Sequence, residues 1–123
     1  MQRFLKVSLA AALAASLAPL PPAFAHAFLD HAVPGVGTTV SGPVRELRLY
    51  YTQGVVTAFS HVHVVSAAGT QIPASKPVVA SADKQTIVVR LGRPLGPGTY
   101  SVSWQVVSVD THTTQGTFTF TVT

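Results

Sequence analysis

The spacing of glycine and proline is the feature that most restricts the fold of this chain. From residue 34 onwards these residues recur at short intervals, as in Pro34-Gly35, Gly42-Pro43 and Gly96-Pro97-Gly98. Both residue types interrupt regular elements, so the stretches between them have the length of strands. The stretches are rich in Val, Thr, Ile, Leu and aromatic residues, and none of them shows a helical period. This pattern favours β-strands and predicts little helix.

Several of these stretches alternate apolar and polar residues with a period of two. Val62 and Val64 alternate with His61 and His63, and segments 44–51, 87–91 and 117–122 show a similar pattern. Such alternation is typical of a strand that places one face on a core. About seven short strands in about 100 residues predict an all-β fold, a seven-stranded immunoglobulin-like Greek-key sandwich or barrel.

Two aromatic residues fit that architecture. Tyr100 follows the Pro97-Gly98 turn, so we expect its hydroxyl to bond back to the turn as a tyrosine corner. Trp104 lies on the strand that follows, and we expect it at the centre of the core.

Residues 1–25 have the pattern of an export signal. Arg3 and Lys6 provide a positive start, residues 7–17 an apolar run, and Ala23-Phe24-Ala25 a small-x-small cleavage site. An uncut anchor helix would need about 20 apolar residues, more than this run offers. We therefore expect cleavage after Ala25, which leaves residues 26–123 as one domain in the periplasm or outside the cell.

Composition excludes several kinds of function. The chain has no cysteine and a single methionine, Met1, so a disulfide framework, a thiolate site and a methionine-rich site for a soft metal are all excluded. Residues 26–123 carry six basic and four acidic residues. The basic residues are scattered and lack interleaved aromatics, which argues against a nucleic-acid groove.

Cleavage after Ala25 would make His26 the first residue. A terminal histidine offers its α-amine and its imidazole Nδ1 to one ion, and both nitrogens can release a proton to divalent copper near neutral pH. A histidine within the chain has no free amine to offer. A leader must be cut somewhere, however, so a terminal histidine alone is also compatible with chance.

A second group of candidate ligands lies in the sequence SVDTHTTQG, residues 108–116. Asp110 and His112 are two positions apart, so in an extended backbone both side chains leave the same face. Together with His26 they would supply three nitrogens and one oxygen. Calcium and magnesium prefer oxygen ligands, whereas this set suits divalent copper, which also ranks above zinc in the Irving–Williams order. Taken alone, such a pair is more often a turn aspartate and a surface histidine.

From His26 to Thr123 the chain resembles the CopC-type copper-resistance domain. The matching stretches are HAFLDHAVPGVG, LYYTQGV, LGPGTYSVSWQVVSVDTHTTQG and FTFTV. The resemblance implies a Greek-key β-barrel or sandwich in the periplasm that binds one Cu(II) ion through His26, Asp110 and His112. It also implies a role in copper homeostasis, resistance or delivery, without enzymatic activity, and an inner-membrane copper transporter of the CopD type as partner.

The chain departs from that family at two places. Some members have a glutamate near the copper where this chain has Gln53, a poorer ligand, so we expect Gln53 to make at most a supporting contact. Some members carry a methionine-rich loop for monovalent copper, whereas this chain has SAAGTQIPASKP there. A carrier that exchanges monovalent and divalent copper is therefore not expected.

Two alternative functions and three other histidines remain. An amine and imidazole on one residue also resemble the histidine brace of copper monooxygenases, but Asp110 would fill a position that oxygen chemistry needs. A metal-free immunoglobulin-like adhesion module is the other alternative. His61 and His63 share one strand face, so a second metal site is conceivable there, but no acidic or thioether-bearing residue lies beside them and we expect them to face solvent; we expect the same of His31.

Overall fold

The computed structural model describes residues 26–123, and the predicted export signal at residues 1–25 lies outside the described residues. Within this range the chain forms nine strands and one turn of 3-10 helix, Thr57–Phe59. The strands are β1 Leu29–Val33, β2 Thr39–Val40, β3 Val44–Tyr51, β4 His61–Ser66, β5 Gln71–Ile72, β6 Val78–Val79, β7 Thr86–Leu95, β8 Gly98–Val107 and β9 Thr113–Val122. None of residues 26–123 belongs to a helix long and apolar enough to cross a membrane.

The strands form two sheets that enclose one core. One sheet has the order β1-β3-β7-β6 and the other the order β2-β9-β8-β4-β5. Neighbouring strands are antiparallel, except that β2 runs parallel to β9. The predicted all-β sandwich is therefore confirmed.

Alternation along the strands explains how the core forms. In β3 the apolar residues Val44, Leu47, Leu49 and Tyr51 are buried, whereas the polar residues between them are exposed or half-buried. In β4 the buried Val62 and Val64 alternate with exposed histidines. A period of two places each apolar set on one face, so the two sheets bury these faces against each other.

The strand count differs from the seven that the sequence predicts. Three of the nine strands, β2, β5 and β6, are only two residues long. Such short strands form because a neighbouring long strand offers free backbone groups, and two residues are too few to show an alternating pattern.

Both aromatic predictions are confirmed. The Tyr100 hydroxyl donates a hydrogen bond to the Gly96 carbonyl over 2.9 Å, which makes the tyrosine corner. Trp104 is buried, and its ring meets that of Tyr51 edge to face at 5.3 Å. On β9, Gly116 lies against the indole, and a Cβ at that position would come within 2.6 Å of Trp104 Cζ2. Glycine is therefore required there for the tryptophan to fit.

Candidate metal centre

The segment before β1 is held against the sandwich by two threonine hydroxyls. The Phe28 N–H donates to Thr52 Oγ1 over 3.0 Å, and the same hydroxyl donates to the His26 carbonyl over 3.3 Å. Thr114 Oγ1 donates to the carbonyl of Ala27, whose side chain is completely buried. These contacts fix the backbone of residues 26–28, and thereby the position from which the His26 imidazole extends.

The other two candidate ligands lie in the turn between β8 and β9. The Thr111 N–H donates to the Ser108 carbonyl and the Ser108 N–H to the His112 carbonyl, each over 2.8 Å. Thr111 has a positive φ of 74°, a conformation that non-glycine residues adopt mostly in tight turns. The expectation that Asp110 and His112 lie on an extended strand is therefore wrong. A turn, in which backbone groups near the strand ends pair with one another, aims both side chains toward His26.

The three predicted ligand residues converge at this end of the sandwich. His26, Asp110 and His112 each offer one ligand atom, and these atoms lie within 4.8 Å of one another. The two imidazole rings are 4.4 Å apart between centroids, and His112 Nδ1 is 3.3 Å from Asp110 Oδ2. The structure therefore brings together residues that are separated by most of the described chain.

Hydrogen bonding and burial set the electrostatics of the group. The buried Ser108 hydroxyl donates to Asp110 Oδ1, and this bond, helped by contacts with His112, holds the pKa of the Asp110 carboxyl below its usual range against a smaller opposing effect of desolvation. The second oxygen, Asp110 Oδ2, is buried and makes no hydrogen bond among the described residues, its nearest polar contact being His112 Nδ1 at 3.3 Å; His26 Nδ1 is likewise buried without a hydrogen bond there. Buried polar atoms are rarely left without a partner, so these two atoms point to a ligand.

The donor set fits a divalent transition metal ion. Two imidazoles and a carboxylate match the preferences of copper and zinc, whereas calcium and magnesium take oxygen ligands almost exclusively. The His112 side chain is 58% exposed and that of Asp110 is 30% exposed, so the group is open to solvent on one side. An ion can therefore reach it without rearrangement of the core.

Comparison with known proteins assigns a family to this fold. Residues 29–123 match the CopC domain. The chain belongs to the CopC domain family. Protein YobA of Escherichia coli strain K12 is 36% identical over 83% of this chain and 82% of its own length. Copper resistance protein C of Xanthomonas campestris pv. juglandis is 35% identical over 89% of each chain.

A solved structure agrees with this assignment and reveals one difference. PcoC of Escherichia coli, a methionine-rich copper resistance protein, is similar with a TM-score of 0.71 and 31% identity, over 80% of this chain and all of PcoC. This CopC-domain chain has only Met1, which lies outside the described residues. The methionine-rich loop that some family members carry would lie at segment 66–77, which contains no methionine. In this structure the segment forms the end of β4, the short β5 and the loop after it.

The remaining candidates lie outside this group. His61 and His63 are exposed on β4, as predicted. His31 is also exposed; its Nδ1 is 2.7 Å from Asp30 Oδ2 and its ring stacks on Tyr50. Gln53 is half-buried beside Thr52, and a supporting role for it stays a prediction.

Sequence reasoning missed the residues that position the ligands. Thr52, Thr114 and Ser108 each contact the backbone or side chain of a candidate ligand residue or its neighbour. Two of them lie far from their partners in sequence, so no local pattern could reveal them. Ser108 stands two positions before Asp110, a spacing typical of local side-chain hydrogen bonds, and it could have been found.

Proposed function

We propose that this CopC-domain protein binds one Cu(II) ion through His26, Asp110 and His112 and so buffers copper or delivers it. The observation that carries the proposal is that two buried candidate ligand atoms, His26 Nδ1 and Asp110 Oδ2, make no hydrogen bond among the described residues. They lie beside a second imidazole within the span of one coordination sphere. The names of the CopC and PcoC relatives support copper as the metal.

Export would complete the site. Cleavage after Ala25 converts the backbone nitrogen of His26 into an amine, which joins Nδ1 of the same residue as a chelating pair. Since the protein already holds the backbone of residues 26–28, the ligands lose little conformational freedom when the ion arrives. We place the protein in the periplasm or outside the cell, with an inner-membrane copper transporter of the CopD type as the recipient or donor of the ion.

The proposed role is binding rather than catalysis. Asp110 lies beside the two imidazoles and would take a position that a copper monooxygenase leaves open for oxygen. The carboxylate also balances part of the charge of the ion, which favours the divalent state over the monovalent one.

The test begins with the full chain, expressed with its leader and purified after export. We expect the purified protein to begin at His26 and to bind one equivalent of Cu(II) with an EPR spectrum of mixed nitrogen and oxygen ligation. A variant with one glycine inserted between Ala25 and His26 should bind at least tenfold more weakly, since its histidine has no free amine. Tight binding by that variant, or by His112→Ala, would refute the ligand assignment.

A further inference from the structure

A second pair of histidines lies on the outer face of β4. His61 and His63 are both exposed, and they alternate with the buried Val62 and Val64. Residues two apart on a strand leave the same face about 7 Å apart at Cα. Two imidazoles at this separation can turn toward one ion between them.

The surroundings of this pair are polar on one side and open on the other. β8 pairs with β4 in register, so that Gln105 is opposite His61 and Ser103 is opposite His63, and both partners are exposed. On the other side, β5 pairs only with Val64 and Val65. The edge of β4 beside the histidines therefore borders a groove, whose far wall is the segment 73–77.

The chemistry of the pair favours a labile site for a transition metal. Neither imidazole has a hydrogen-bond or ion-pair partner among residues 26–123, so neither ring is committed to another contact. The groove contains a cation, Lys76, and none of its lining residues is acidic. Without a carboxylate the pair would not hold calcium or magnesium, and with two protein ligands the ion would keep water in its remaining positions.

We propose that His61 and His63 form a second, weaker and exchangeable site for a divalent transition metal ion, with Cu(II) preferred. The preference follows from the imidazole ligands and the Irving–Williams order. The side-chain amide oxygen of Gln105, opposite His61 on the same face, is a neutral group that can add a ligand. The proposal rests on β4 and its neighbours and does not require the assignment of His26, Asp110 and His112.

The experiment is a titration of the exported protein with copper(II) chloride in a buffer that does not bind copper, followed by calorimetry and EPR. We expect a second equivalent of Cu(II), weaker than the first, with its own EPR signal. His61→Gln and His63→Gln should each weaken this second equivalent at least tenfold, and the double variant should lose it. His31→Gln is the matched control, because it removes another exposed histidine and should leave both equivalents unchanged.

Paramagnetic broadening in NMR spectra locates the second ion independently of affinity. When the second equivalent of Cu(II) is added, the amide signals of β4 and of residues 103–105 on β8 should broaden. The metal-free spectrum of each variant serves as the control that the variant is folded. The proposal is overturned if the wild-type protein takes up only one ion, or if the double variant keeps the second. If instead the assignment of the first site is wrong, His112→Ala should bind the first equivalent of Cu(II) as tightly as the wild-type protein does.

Discussion

The hydroxyl of Thr52 offers the sharpest test of how the backbone positions the proposed copper ligand. It accepts from the Phe28 N–H over 3.0 Å and donates to the His26 carbonyl over 3.3 Å. Thr52→Val removes both bonds and keeps the branched shape of the side chain. The third contact, from the Thr52 N–H to the Phe28 carbonyl over 2.9 Å, remains. The substitution therefore loosens the terminal segment without breaking the backbone pairing beside it.

The expected magnitude follows from the two lost bonds. A protein hydrogen bond contributes about 1 kcal/mol net, and the 3.3 Å contact is the weaker of the two. The ordered conformation of residues 26–28 should therefore be destabilised by about 1–2 kcal/mol. Binding of copper must then restore that order. Since about 1.4 kcal/mol corresponds to tenfold in affinity, we expect the Kd for Cu(II) to rise by about 5- to 30-fold.

Competition with a chelator of known affinity measures this change in the exported protein. Thr52→Ser restores the hydroxyl and should return most of the affinity. Thr99→Val is the matched control, because its hydroxyl bonds to Thr121 over 3.0 Å at the opposite end of β8. The reasoning is refuted if Thr52→Val binds copper as tightly as the wild-type protein, or if Thr99→Val weakens binding equally.

Three further predictions concern buried hydroxyls and pH. The Tyr51 hydroxyl is buried without a hydrogen bond among the described residues, so Tyr51→Phe should raise the free energy of unfolding by about 1–3 kcal/mol. Tyr100→Phe loses the hydrogen bond to Gly96 and should lower the free energy of unfolding by about 1 kcal/mol. Burial raises the pKa of Tyr51 on folding, so the wild-type protein should also lose stability relative to Tyr51→Phe as the pH rises above about 10. Urea denaturation measures both effects. Equal changes in the free energy of unfolding for Tyr51→Phe and Tyr100→Phe would contradict the reasoning. Ser108→Ala should raise the pKa of Asp110 toward its usual value in the metal-free protein, because it removes the main hydrogen bond to the carboxylate; NMR titration of the carboxyl carbon would show no change if that bond were unimportant. Copper affinity should fall between pH 8 and pH 5, because the nitrogen ligands take up protons while Asp110 stays ionised, and equal affinities at the two pH values would argue against nitrogen ligation.

Local pattern predicted the main strands because burial repeats every second residue. In β3 and β4 the apolar positions read from the sequence are the buried ones, and the tyrosine corner follows from the turn just before Tyr100. The two-residue strands escaped prediction because their pairing depends on a distant partner; β2, for example, pairs with residues 121 and 122 of β9.

The sequence predicted which three candidate residues would come together, but not the backbone conformation that presents them. Asp110 and His112 reach His26 from a turn with a positive φ at Thr111, and Asp-Thr-His carries no glycine that would signal such a conformation. The threonines that hold residues 26–28 are on β9 and directly after β3. Contacts over such sequence distances arise from packing, and a single sequence contains no local record of them.

In the exported form that we propose, residues 26–28 begin the chain; they precede the first strand and are joined to the sandwich through Thr52, Thr114 and the buried side chain of Ala27. Fraying of this short tail would carry His26 away while both sheets, Asp110 and His112 stay in place. Opening at a chain end costs far less than global unfolding. The release rate of the proposed copper ion should therefore depend on this segment and not on the stability of the fold, so a very stable sandwich could still release copper quickly.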